Sequence, residues 1–129
     1  MQPFAVLVAL SVLATSALAT PTGNFTGPVP EYGNNCSGSF VCAPSLGADC
    51  ARAVASVNPS ATYTDQAQFS VGHCLVIYAT NGEGAQPVSG SVIIDTARSI
   101  LSTCSNVCGS FGTNNAGCPS CHVTLNYRS

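Results

Sequence analysis

The chain contains no lysine, and its three cations, Arg52, Arg98 and Arg128, are scattered along the sequence. Nucleic-acid binding needs clustered cations to displace counterions from phosphates, and anionic membranes attract the same clusters, so neither is an expected partner. Methionine occurs once, at position 1, which leaves no thioether for a haem iron. The longest apolar run, residues 4–14, is about half of the roughly 20 residues a membrane-spanning helix requires, so no span is expected. There is no Gly-x-Ser-x-Gly elbow to anchor hydrolase chemistry, and no internal repeat.

What is present begins with that short apolar run, closed by Ala17-Leu18-Ala19, the small-x-small pattern that a signal peptidase reads. Residues 1–19 are therefore expected to be a secretory signal peptide with cleavage after Ala19, and the product to be extracellular. No basic residue precedes the run, which fits a eukaryotic better than a bacterial route. Residues 20–34 are rich in Pro, Gly, Asn and Thr without apolar periodicity and read as a flexible leader. Residues 35–129 are left for a single domain, expected to be monomeric. Two glycosylation sequons, at Asn24 and Asn35, are expected at the surface.

The fold class expected is α+β, with two helices on one face of an antiparallel sheet. Leu46, Cys50, Val54 and Val57 recur at helical spacing, with Ser45 as N-cap and Asn58-Pro59 as the stop. A second stripe, Ile93, Ala97, Ile100, Leu101, Cys104 and Cys108, opens near Ser89 or Ser91 and ends at Gly109. Residues 61–64 and 68–80 carry strand residues, and Asn81-Gly82 closes the run as a turn. At the end, Cys121, Val123, Leu125 and Tyr127 alternate with His122, Thr124, Asn126 and Arg128, the pattern of a half-buried strand.

All eight cysteines fall within 35–129, and an even count in a small secreted chain reads as four disulfides. On a helix Cys104 and Cys108 lie about 6 Å apart on one face and ask for two partners equally close. Ser37-Gly38-Ser39 curls the segment between Cys36 and Cys42, so Cys36 is expected with Cys104 and Cys42 with Cys108. Cys50 with Cys74 and Cys118 with Cys121 are the first choice for the rest, although the count alone leaves other pairings open.

Cys118-Pro119-Ser120-Cys121-His122 has the form of a c-type haem attachment site, and the same cysteines with His73 and His122 have zinc-ligand chemistry. An oxidising route converts such thiols to disulfides, and a cystine ahead of a strand is the stronger reading. No cofactor or metal is expected. Asp49, Asp65 and Asp95 are scattered relative to His73 and His122, while Glu31 and Glu83 read as surface positions rather than paired carboxylates, so no enzyme is expected. His122 is placed on the solvated face of the last strand and His73 in a partly buried strand.

Hydrophobins carry adjacent Cys-Cys doublets, which this chain lacks, and plant defensins pair a helical Cys-x3-Cys with a strand Cys-x-Cys, also missing. The chain does resemble the fungal killer-toxin family of the smut KP-four type and related secreted effectors of the extracellular protein two type. Asn35-Cys36-Ser37-Gly38-Ser39 with Cys42, Val107-Cys108-Gly109-Ser110 and Val123-Thr124-Leu125-Asn126-Tyr127 carry the likeness. The resemblance implies an antiparallel sheet with two antiparallel helices, and a first loop tied to the end of the second helix. It also implies an antifungal or virulence role, antagonising competing fungi or a plant host through a target-cell surface protein such as a calcium channel. The family's basic stretch before the strand cysteine is replaced here by Gln68, Phe69, Ser70, Val71, Gly72 and His73, in a chain of net charge −2. The alternative expectation is a wall-associated or ligand-binding module without toxicity.

Overall fold

The structure, a computed structural model, describes residues 31–129. The expected signal peptide 1–19, most of the leader and the Asn24 sequon lie outside the described residues.

Pro44 opens a 3-10 turn, Pro44–Leu46, that runs directly into helix α1, Gly47–Ala55. Proline suits this place because its fixed φ is helical and its missing N–H is not needed there. Ser45, expected as the N-cap, instead sits inside the turn, and no side chain caps the helix. Leu46, Cys50, Val54 and Val57 are buried, as their spacing predicts, and Ala53 is buried beside them.

Residues 68–80 fold back on themselves rather than running on as one strand. Strands β2, Ala67–Val71, and β3, Cys74–Ala79, form an antiparallel hairpin with Val71 opposite Cys74. The reversal falls at Gly72, whose φ of +56° is costly for any residue with a Cβ. Two short strands, β1 at Thr62–Tyr63 and β4 at Val88–Ser89, form a separate antiparallel pair that leads into helix α2, Gly90–Thr103.

Helix α2 buries Ile93, Ala97 and Ile100 but ends at Thr103, not at Gly109. Cys104 already has extended backbone, and Val107 takes a φ of +75° before strand β5, Gly109–Gly112. Cys104 and Cys108 therefore do not share a helix face. Both are buried beneath the loop of residues 36–42, and burial at a spacing of four mimics a helical stripe.

The last strand, β6 at His122–Tyr127, lies between β3 and β5, giving a four-stranded antiparallel sheet of order β2-β3-β6-β5. Cys74, Val76 and Tyr78 of β3 and Val123 and Leu125 of β6 point into one core. Helix α1 covers β2 and β3, and α2 covers β5 and β6. The molecule is an α+β domain with both helices on one face of the main sheet.

The outer edge of β5 is closed by the chain's own earlier residues. Asn35 and Ser110 exchange both backbone hydrogen bonds, at 2.9 and 2.8 Å. Asn34 Oδ1 accepts the Gly112 N–H at 2.8 Å, the Tyr32 N–H donates to the Pro119 carbonyl at 2.8 Å, and the Tyr32 ring stacks on His122 at 4.0 Å. The expected leader boundary at residue 34 is thus corrected, since the chain is docked from Tyr32 onward. Its contacts are polar and aromatic, so no apolar period announces them.

Four disulfides complete the frame: Cys36–Cys104, Cys42–Cys108, Cys50–Cys74 and Cys118–Cys121. Cys50 and Cys74 are fully buried, so their bond pins α1 to the sheet from inside the core.

Candidate functional site

Two of the three arginines converge on the turn of the β2–β3 hairpin. Arg128, just beyond β6, donates from Nη1 to Ser70 Oγ at 2.7 Å, and its backbone N–H donates to the His73 carbonyl at 2.8 Å. The pairing of Cys74 with Tyr127 in the sheet puts it there. Arg52 of α1 forms an ion pair with Asp49, whose other oxygen accepts the His73 backbone N–H at 2.9 Å. Gly72 is packed so closely against the Asp49 carboxylate that a Cβ would strike it. The His73 ring is exposed and stacks on Tyr127 at 5.3 Å, not partly buried as expected. Arg98 stands apart, exposed on α2.

The His73 backbone N–H, ahead of the Arg52 guanidinium, holds the Asp49 carboxyl below the usual range against the opposing effect of desolvation. Asp49 stays ionised and offsets part of the local positive charge. Asp65 is lowered in the same way, chiefly by the backbone N–H of the buried Thr80 at 2.9 Å. Burial pushes the Tyr78 phenol up, and its hydroxyl donates to the Gln86 carbonyl at 2.6 Å.

A second feature is a cleft of ≈ 470 Å³ between α2 and β5. Asp95, Thr96 and Ser99 of α2, Phe111 of β5, and Asn34 and Asn114 are among the residues that line it. One aromatic ring among a carboxylate, amides and hydroxyls can stack on and hydrogen-bond a neutral polar ligand.

The remaining expected positions separate. Cys118 and Cys121 are buried and bonded to each other, so neither presents a thiol to haem or zinc. His122 is half-buried under Tyr32 rather than solvated, and Nδ1 lies 2.9 Å from the Ser120 carbonyl. It sits opposite Ala79, whereas His73 adjoins the Cys74 end of the same ladder, so the two imidazoles are at opposite ends of β3. Among the described residues, no three His, Cys, Asp or Glu side chains gather as a metal site. Asn35 is exposed, with Oδ1 accepting the Ser37 N–H at 3.1 Å. Glu31 and Glu83 are both exposed. Sequence reasoning missed the arginine group, because the strand register brings in Arg128 and the Asp49–His73 hydrogen bond brings in Arg52.

Four disulfides fit an oxidising compartment, and no helix among the described residues is long and apolar enough to cross a membrane. A search of curated proteins finds no match. A family model matches residues 34–129, opening at the Asn34 that clasps β5 and taking in every element of the domain; the chain belongs to the meiotically up-regulated gene family, MU117.

Proposed function

We propose that this is a secreted, monomeric, non-catalytic protein of fungal type that antagonises competing fungi or a plant host by engaging a target-cell surface protein, a calcium channel being the leading candidate. The observation that carries the reading is the convergence of Arg52 and Arg128 on the β2–β3 turn. In the killer-toxin family that the chain resembles, a basic stretch stands just before the strand cysteine and is held responsible for channel inhibition. Here the corresponding residues 68–73 carry no Lys or Arg, and the cations arrive from α1 and from beyond β6 instead. A cation set in a channel mouth opposes cation passage by its field, whichever part of the chain supplies it. The cystine frame supports the same reading, because a rigid, disulfide-closed domain survives outside the cell.

The test is growth of sensitive fungi with purified, oxidised protein, with and without added external calcium. Inhibition that calcium relieves, and that the double variant Arg52→Gln, Arg128→Gln loses, is the expected result. No inhibition at micromolar protein overturns the antifungal arm and leaves the host-directed one, tested by infiltration of leaf tissue.

A second reading, a wall-associated binding module, draws on the cleft between α2 and β5. Its ring and polar groups suit a neutral polysaccharide. Retention on insoluble chitin or glucan, lost with Phe111→Ala, would favour it.

A further inference from the structure

Among the described residues, the only large apolar side chains that are exposed stand next to each other: Phe40 at 99% and Val41 at 44%. They occupy the tip of the loop of residues 36–42, whose two ends are both disulfide-bonded, to Cys104 and to Cys108. The loop is also fixed between its ends. The Ser39 N–H donates to Asn126 Oδ1 at 2.9 Å, the Cys42 N–H to the Ser39 carbonyl at 2.9 Å, and the Val41 N–H to Ser39 Oγ at 3.2 Å. Gly38 rests on the Cys108 side chain, where a Cβ would come within 2.5 Å of Cys108 Cβ. None of these bonds uses the Phe40 ring, so the fold holds the ring in water without gaining from it. A ring carried on an immobilised backbone spares a partner the cost of ordering the loop, which favours a binding hot spot.

The surroundings of the ring decide what kind of surface covers it. Residues 37–41 carry no charge, and the chain as a whole is negative, so anionic lipid has nothing to attract it. Beside the ring lies a hollow of ≈ 310 Å³ lined by Ser37, Ser39, Asn106 and the Cys36 and Cys108 cystines. The acyl region of a bilayer pressed onto the tip offers the Ser37 hydroxyl and the Asn106 amide no hydrogen-bond partner. A protein surface supplies both an apolar pocket and an adjacent polar side chain.

We propose that Phe40 and Val41 form a preorganised anchor that inserts into an apolar pocket of a partner protein, while the neighbouring hollow receives a polar side chain of that partner. This deepens the reading above by naming the contact that engages the surface protein, and rests on its premise that the target is a protein.

The experiment measures binding rather than growth. Labelled, oxidised protein is titrated onto intact fungal and plant cells, onto the same cells shaved with trypsin, and onto phosphatidylcholine vesicles with and without phosphatidylserine. Phe40→Ser should keep the wild-type melting temperature, because the ring packs on nothing, and should weaken saturable cell binding by about tenfold or more. Phe40→Leu should retain most of it, and shaving should abolish it. Equal binding by Phe40→Ser, binding to vesicles, self-association in sedimentation that Phe40→Ser removes, or no saturable binding to either cell type would each overturn the anchor. Phe40-dependent binding without growth arrest or leaf response keeps the anchor and sinks the antagonist reading. Growth arrest unchanged by Phe40→Ser does the reverse.

Discussion

The carboxylate of Asp49 on α1 accepts the backbone N–H of His73 at 2.9 Å, joining the first helix to the turn of the β2–β3 hairpin. The bond favours the ionised carboxyl, so the folded pKa lies below that of the unfolded chain, about 3.9. The stabilisation is complete above that value and is lost as pH falls through the lower folded pKa. Asp49→Asn should therefore lower the melting temperature at neutral pH and match the wild type in strong acid, near pH 2. A difference that stays constant across this range would refute the assignment.

Gly72 serves the same junction in two ways, through its φ of +56° and through its contact with the Asp49 carboxylate. Gly72→Ala should destabilise the protein by roughly 2 kcal/mol, read as a shift in the urea midpoint at unchanged m. A loss below about 0.5 kcal/mol would mean that the turn relaxes around the methyl group.

How much of this was legible depended on whether a residue's role is local. The buried stripe of Ile93, Ala97 and Ile100 and the alternation of Val123 and Leu125 are set by period, and the sequence shows both. Strand β5 is Gly-Ser-Phe-Gly, with no alternation, and its pairing comes from β6 on one side and Asn35 on the other. The end of α2 was hidden because Cys104 and Cys108 keep a helical spacing after the helix has stopped. The arginine group was invisible for a different reason. Nothing in the sequence near Arg52 indicates that Arg128 shares its surroundings until Cys74 is set opposite Tyr127. Phe40 lies in a segment without apolar period, and only the structure shows its ring standing in water.

The disulfides differ in the length of chain they close. Cys50–Cys74 spans a separation of 24 residues and Cys118–Cys121 a separation of 3, while all four sulfurs are buried to a similar degree. Loop-closure entropy then assigns about 3 kcal/mol to the first and about half that to the second. Paired replacements by alanine, compared by equilibrium denaturation, should fall in that order. The reverse order would show that strain or packing outweighs chain entropy here.

Tyr32 secures the segment that closes β5, through its stack on His122 and its bond to Pro119. An aromatic pair contributes on the order of 1 kcal/mol, so Tyr32→Ala should speed amide exchange at Asn35 and Ser110 by up to about tenfold. The amides at the Cys74–Tyr127 end of the β3–β6 ladder, remote from the stack on His122, should be unaffected. Uniform acceleration across both regions would point to global destabilisation instead.

Because β6 lies in the middle of the sheet, β3 and β5 have no neighbour in common until this later-made strand has been synthesised. During biosynthesis the β2–β3 hairpin must wait with one edge unpaired, and Cys36 and Cys42 meet no native partner before Cys104 and Cys108 emerge. Folding is thus largely a late event, in which strand pairing across the sheet and three of the four native cystines wait for residues 104–127.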